Sequence, residues 1–240
     1  MENHDELRET EIQSDSSELN DKNGARANVS PAVIKRLPRY FRYLRELIRQ
    51  GKSRISSGEL SDIMHVTASQ IRQDLNCFGG FGQQGYGYNV NYLYTKICDL
   101  LGVGCGYRAV VIGAGNLGTA LVRNPMFEKR GVDVIALFDI NPAVIGNNIG
   151  EARVYDMREF GDYCHRNHVD IAVLTLPKEA AAATLEIVAA AGIRGIWNFS
   201  GRELDTTGTD IVVENVHLGD SLMTLCYELC RREGDGEGDR

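Results

Sequence analysis

The chain has 240 residues, 43% of them hydrophobic and 25% charged, with a formal net charge of −7. No apolar run approaches the ~20 residues that a membrane helix needs, so the composition excludes a membrane protein and suits two modest globular domains. The first thirty residues are polar and acidic rather than basic and then apolar, which excludes a secretory signal and makes a cytoplasmic protein the expectation.

Residues 1–29 show no sustained apolar period and are expected to be disordered, because such a segment does not offset the entropy of ordering. Residues 1–30 carry eight acids against three bases, whereas residues 31–80 carry nine bases against four acids. A basic block of that kind suits either DNA or a solvated helix face. Ser30-Pro31 reads as the N-cap and first turn of a helix in which Ile34, Leu37, Phe41, Leu44 and Ile48 recur at helical spacing, ending at Gly51. Pro38 is expected to bend this helix or restart it. Ser56-Ser57-Gly58-Glu59 opens a second helix through Met64, and Thr67-Ala68-Ser69-Gln70 a third to about Phe78, a helix-turn-helix by length. The alternating glycines and aromatics from Gly79 to Tyr88 suit a two-stranded wing. Asn91 to Leu101 makes a linking helix, and Gly102 to Gly106 marks a boundary.

Beyond the boundary, apolar strands alternate with helices. Strands are predicted at Arg108 to Ile112, Val132 to Phe138, Ile171 to Thr175, Gly195 to Phe199 and Ile211 to Glu214. Helices are predicted at Leu117 to Asn124, Met157 to Arg166 and Lys178 to Ala191, which implies βαβ units and a mainly parallel sheet. A last helix, about Leu218 to Arg231, carries Leu218, Leu222, Leu225 and Leu229 as a narrow stripe, suited to packing between helices or to closing its own domain. The six cysteines, Cys77, Cys98, Cys105, Cys164, Cys226 and Cys230, form no CxxC pair and no zinc spacing with histidine. They read as reduced thiols and no metal is expected, although Cys226 and Cys230 share a helix face and leave a thiol switch open.

Gly113-Ala114-Gly115-Asn116-Leu117-Gly118 is a GxGxxG that follows a strand and opens a helix, the context a dinucleotide fingerprint requires. Gly113 would make the tight turn, Gly115 would admit the pyrophosphate and Gly118 would let helix and strand pack, with the phosphates on the helix N-terminus. Asp139, at the end of the second strand, suits the ribose hydroxyls and repels a 2′-phosphate, so NADH and NAD+ are favoured over their phosphorylated forms. FAD, a nucleotide sugar, or glycines serving only as a turn are the other readings. Oxidised nicotinamide is charged and reduced nicotinamide neutral, so an apolar wall of Thr175, Pro177, Asn198 and Phe199 would tell them apart by desolvation.

With helix-turn-helix, glycine-aromatic wing and Rossmann fingerprint in this order, the chain resembles the Rex family of redox-sensing repressors from about Ser30 to Arg231. The resemblance is carried by Ile34-Lys35-Arg36-Leu37-Pro38, by Thr67 to Leu75, by Gly85-Tyr86-Gly87-Tyr88-Asn89-Val90 and by the glycine fingerprint. Further matches are Leu174-Thr175-Leu176-Pro177, Gly195-Ile196-Trp197-Asn198-Phe199 and Val213-Glu214-Asn215-Val216. It implies an α/β protein with a winged-helix domain at 30–104, a Rossmann domain at 105–216, a dimerisation helix at 217–232 swapped onto the partner, and a mobile tail at 233–240. It further implies a homodimer on double-stranded operator DNA, released when NADH replaces NAD+.

Ser69, Gln70, Arg72 and Gln73 are placed toward the major groove, with Gln84, Gly85, Tyr86, Gly87 and Tyr88 in the wing. The chain departs from the family at Gln73, Gln83 and Gln84, where basic residues are usual, so an altered operator is expected. Arg42 matches a family arginine that links, in one redox state, to a tyrosine and to an aspartate of the partner's helix; Asn124 and His217 stand at those positions. Arg42 also reads as a plain phosphate contact and His217 as simply exposed. An NAD-dependent dehydrogenase and a CoA- or nucleotide-binding module are the alternatives. The first lacks a placed acid or base, since His165, His168, Tyr155 and Lys178 form no mutual arrangement.

Overall fold

A computed structural model describes residues 29–76, 82–83 and 87–236, with 82–83 and 233–236 given as backbone only. The segment expected to be disordered lies outside the described residues except for Val29, which packs into the first core. The chain divides into two compact units, the first ending at Val103 and the second beginning at Gly104.

In the first unit, α1 (Pro31–Arg49) starts at Ser30, whose hydroxyl accepts from Val33 N at 3.4 Å. It runs unbroken through Pro38, so the helix does not restart there. Pro38 lies on the exposed face, where solvent is available to the carbonyl left without a donor, while Leu37, Tyr40, Phe41 and Leu44 hold both halves in the core. Ile34, expected in the buried stripe, is 46% exposed; Val33 and Leu47 take that face instead. Helix α2 (Ser57–Met64) opens on a full capping box between Ser56 and Glu59. Helix α3 (Ala68–Asn76) follows a short turn. Strands β1 (Arg54–Ile55), β2 (Gly82–Gln83) and β3 (Gly87–Asn89) form an antiparallel ribbon in the order β1-β3-β2. Gly87 has φ +69, and a Cβ there would lie 2.7 Å from the Ile55 carbonyl oxygen, so only glycine lets the ribbon close. Helix α4 (Val90–Leu101) packs on α1, with Tyr94 stacked on Phe41 at 5.3 Å between ring centroids.

One carboxylate ties α3 to α1. Asp74 is 0% exposed and accepts from Arg36 Nε at 2.8 Å, Arg36 Nη2 at 2.6 Å, Tyr40 Oη at 3.0 Å and Gln70 Nε2 at 2.8 Å. Burial pushes its pKa up, but the bonds from Arg36, Gln70 and Tyr40 outweigh that and hold it below the ordinary carboxylate value.

The second unit is a seven-stranded sheet of β4 (Tyr107–Ile112), β5 (Val132–Asp139), β6 (Asn148–Ile149), β7 (Ala152–Asp156), β8 (Ile171–Leu174), β9 (Gly195–Asn198) and β10 (Val212–Asn215). Its order is β10-β9-β8-β4-β5-β7-β6, parallel except for the β6–β7 pair. Helices α6 (Phe160–Asn167) and α7 (Lys178–Ala190) cover one face through Phe160, Cys164 and Val188. Helix α5 (Asn116–Arg123) covers part of the other through Leu121 and Val122. The β6–β7 hairpin went unpredicted because charged residues interrupt the apolar period from Asn148 to Asp156. Helix α8 (Leu218–Gly236) leaves Leu218, Leu222, Leu225 and Leu229 more than half exposed, so the stripe does not close its own domain.

Asp74→Ala removes the buried acceptor shared by Arg36, Tyr40 and Gln70 and is expected to cost about 3 to 5 kcal/mol of the first unit's stability. Because the folded-state pKa is depressed, the wild-type contribution is present above the ordinary carboxylate value and disappears as pH falls below about 4. Thermal denaturation from pH 7 to pH 3 checks both; a variant melting like the wild type at pH 7 would remove Asp74 from this role.

Candidate functional site

Strand β4 lies between β8 and β5, so the chain leaves its carboxyl end at the point where the strand order reverses, the usual ligand crevice of such a sheet. Gly113 turns there with φ +105; a Cβ would lie 2.8 Å from the Thr175 carbonyl oxygen. Thr175 Oγ1 donates to the Gly113 carbonyl at 2.8 Å, and Gly113 N donates to the Phe138 carbonyl at 2.8 Å. Gly118 lies directly against the Gly113 carbonyl, and a Cβ on it would also lie 2.8 Å from Thr175 Oγ1. Gly115 differs, having open space where a Cβ would stand and no side-chain cap. The first-turn amides of α5, Asn116 and Leu117 among them, are therefore open to an anion.

Asp139 closes the corner. Its Oδ2 accepts from Ala114 N at 2.6 Å and its Oδ1 from Asn141 N at 2.8 Å, which sets the half-buried carboxylate beside the glycine loop. Thr175, Pro177 and Phe199 follow β8 and β9 at the same edge, with Phe199 edge-on to Trp197 at 4.6 Å between ring centroids. Asn198 behaves differently from a ligand contact. It is 1% exposed, its Nδ2 donates to the Arg202 carbonyl at 2.7 Å and to Asn215 Oδ1 at 2.8 Å, and its Oδ1 accepts from Ser200 N at 3.0 Å and Ser200 Oγ at 2.7 Å. Its amide is fully committed, so it shapes the wall without offering it a polar atom.

In the first unit, Ser69, Arg72, Gln73 and Asn76 are exposed and stand at i, i+3, i+4 and i+7 of α3, opposite the buried Ile71, Asp74 and Leu75. Asn76 completes a face that the sequence reading left short; helical spacing from Ser69 was the available signal. Gln70 is turned from that face by its bond to Asp74, and Arg72 Nη1 donates to Ser57 Oγ at 3.2 Å. Tyr88, placed in the DNA-facing wing from sequence, is 7% exposed and supports the ribbon from inside the core, because β3 alternates its faces. Gln84, Gly85 and Tyr86 lie outside the described residues. Much of the basic block is spent internally: Arg36 on Asp74, Arg39 Nη2 on the Met64 carbonyl at 2.5 Å, Lys52 on Glu59 at 2.6 Å, and Arg45 over the Phe41 ring.

Residues 28–76 match a family of DNA-binding protein N-termini, and residues 106–201 match the CoA binding domain. The redox-sensing transcriptional repressor Rex of Thermoanaerobacter pseudethanolicus is 50% identical over 208 residues, 87% of this chain and 92% of that protein. Rex of Clostridioides difficile is 52% identical over 200 residues, 83% of this chain and 95% of that protein. The chain belongs to the Rex family of redox-sensing transcriptional repressors. Among solved Rex structures, that of RSP with β-NAD+ and operator DNA is 50% identical with a TM-score of 0.79, covering 87% of this chain and 96% of that one. RSP with β-NADH is 46% identical, also at 0.79, covering 87% and 98%. Rex relatives are named repressors rather than enzymes, which agrees with the scatter of the dehydrogenase candidates: Tyr155 is packed on Phe138 and Tyr163, and His168 lies beside Asp170 at the surface.

Of the three positions matched to the family's arginine, tyrosine and aspartate, Arg42 and Asn124 are exposed and His217 is half-buried. Arg42 is exposed beside the Tyr43 ring, Asn124 caps α5 and accepts from Met126 N at 3.0 Å through its side chain, and His217 Nε2 lies 3.3 Å from Glu203 Oε1. Gly118→Ala is expected to lower the melting temperature of the Rex Rossmann unit, since a methyl on the Gly113 carbonyl forces a backbone shift worth ~1–3 kcal/mol. Gly115→Ala, facing open space, is expected to leave it unchanged. Calorimetry of both variants checks the contrast, and equal melting would mean the glycine loop is not packed this way.

Proposed function

We propose that this chain is a redox-responsive repressor that binds operator DNA as a homodimer through its first unit and releases it when NADH replaces NAD+. The observation that carries the reading is the union, in one chain, of an exposed recognition face on α3 with a glycine corner closed by Asp139. The corner fits a dinucleotide: Gly115 leaves room for the pyrophosphate, the start of α5 offers amides to its charge, and the Asp139 carboxylate suits ribose hydroxyls while repelling a 2′-phosphate. A carboxylate that accepts from free ribose hydroxyls also favours NAD(H) over CoA, whose ribose carries a 3′-phosphate, although the domain also matches a CoA-binding family. When bound, the oxidised ring carries a positive charge that the reduced ring lacks. Phe199 and Pro177 supply an apolar wall with no carboxylate on either side chain, and Asn198 has no free amide to soften it, so the wall discriminates by desolvation. Relatives solved with β-NAD+ and operator DNA, and with β-NADH, support the same reading.

On the DNA side, Ser69, Arg72, Gln73 and Asn76 read the major groove, with Gln70 held back as support. A second copy accounts for two apolar surfaces of the Rossmann unit. One is the leucine stripe of α8; the other is a groove of about 510 Å³ on the α5 side of the sheet, lined by Met126, Phe127, Ile171, Trp197 and Val212. A dimer covering both would hold two recognition helices for a two-fold operator. Among the described residues no helix is long and apolar enough to cross a membrane, and operator binding sets the protein in the cytoplasm.

Two substitutions separate the functions. Arg72→Ala is expected to weaken specific DNA binding by at least ~1 kcal/mol while leaving NADH affinity unchanged. Asp139→Ala is expected to weaken NADH and narrow its preference over NADPH while leaving apo operator binding intact. Anisotropy with an operator fragment and NADH fluorescence titration read both. An Asp139→Ala protein with wild-type NADH affinity and preference would overturn the cofactor assignment, and an Arg72→Ala protein with undiminished operator affinity the DNA-reading face.

A further inference from the structure

The carboxyl edge of the Rossmann sheet carries the ligand corner at one point and the root of α8 at another. Neighbouring strand ends are tied along it in the order β4, β8, β9, β10. Thr175 N donates to the Ile112 carbonyl at 2.9 Å, Phe199 N to the Leu174 carbonyl at 2.9 Å, and Val216 N to the Asn198 carbonyl at 2.8 Å. At the last strand the ties pass into side chains. Asn198 Nδ2 donates to Asn215 Oδ1 at 2.8 Å, Asn215 Nδ2 donates to Glu203 Oε2 at 2.9 Å, and Glu203 Oε1 lies 3.3 Å from His217 Nε2. The His217 carbonyl then accepts from Asp220 N at 3.1 Å, in the first turn of α8.

We propose that Asn215 and Glu203 are positioning residues that couple the cofactor edge to the orientation of α8, and through α8 to the partner copy. The inference rests on the function proposed above. Glu203 belongs to the loop between β9 and β10, and that loop leaves the sheet at Phe199, the residue of the ring wall. The start of the loop and the end of β10 are both tied to the buried Asn198, the loop through Ser200 and the Arg202 carbonyl and β10 through Asn215 and Val216, so a displacement of the β9 end at Phe199 is passed to both. The Glu203 carboxylate bridges the two parts and meets His217 at the helix root. An exposed histidine–carboxylate pair contributes little by itself. Its leverage here comes from the anchor, since a saturated buried amide has one arrangement and passes strain on without absorbing it. Neither Glu203 nor Asn215 reaches the glycine corner, so their loss changes the response and spares ligand affinity.

The test measures three quantities for wild type, Glu203→Ala, Asn215→Ala and the double variant: NADH affinity by fluorescence, apo operator affinity, and operator affinity at saturating NADH. In each variant the first two are expected within about twofold of wild type, while the loss of operator affinity caused by NADH shrinks by about fivefold or more, the lower end of ordinary allosteric coupling. The double variant is expected to match the singles, because both act on one chain of bonds. A full NADH effect in Glu203→Ala overturns the proposal, as do losses that multiply in the double variant. A wild-type protein that binds operator yet ignores NADH instead overturns the functional reading, whatever the variants do.

Discussion

The second unit is organised around a contact with no room in it. Gly113, Gly118 and Thr175 meet so closely where β4 ends that neither glycine tolerates a Cβ, and the Thr175 hydroxyl seals the junction by donating to the Gly113 carbonyl. That closeness brings α5 down onto the sheet, aims its open N-terminus along the carboxyl edge and leaves Gly115 as the one position of the three with space above it. Asp139 is then fixed by two backbone amides, so its carboxylate is already oriented for the dinucleotide proposed there. Preorganised groups of this kind lose little entropy on binding.

The first unit has its own counterpart in Asp74. A carboxylate buried between α1 and α3 is tolerable only because four donors satisfy it, and in satisfying it they fix α3 and turn Gln70 inward. Part of the basic block that suggested DNA binding is spent on building the first unit. Arg36 and Arg39 hold helices together, while the exposed face of α3 carries Arg72 beside Ser69, Gln73 and Asn76, and Lys35, Arg42, Arg49 and Arg54 are exposed elsewhere on the unit.

Local signals made most of this legible. The capping residues Ser30 and Ser56, the GxGxxG between strand and helix, and the apolar runs of β4, β5 and β8 each declare themselves within a few residues. Features that depend on distant partners did not. That Pro38 sits inside a continuous helix depends on which face meets solvent; that Tyr88 is core depends on the pairing of β3 with β1. Asn198 looked like a ligand contact because it stands at a strand end, yet its bonds go to Arg202, Ser200 and Asn215, and no spacing rule links those positions. The leucines of α8 gave a clear stripe in sequence, but spacing alone did not say whether they close their own domain, and their exposure answers that they do not.

If the apolar ring wall converts cofactor redox state into DNA affinity, as proposed, operator affinity must follow the NADH:NAD+ ratio. The direct measurement is operator affinity of the intact protein at constant total cofactor while the NADH:NAD+ ratio is varied. A fall of about 5- to 150-fold is expected as NADH replaces NAD+, the ordinary span of allosteric coupling. Equal operator affinity at both extremes, with both cofactor forms shown to bind, would contradict it.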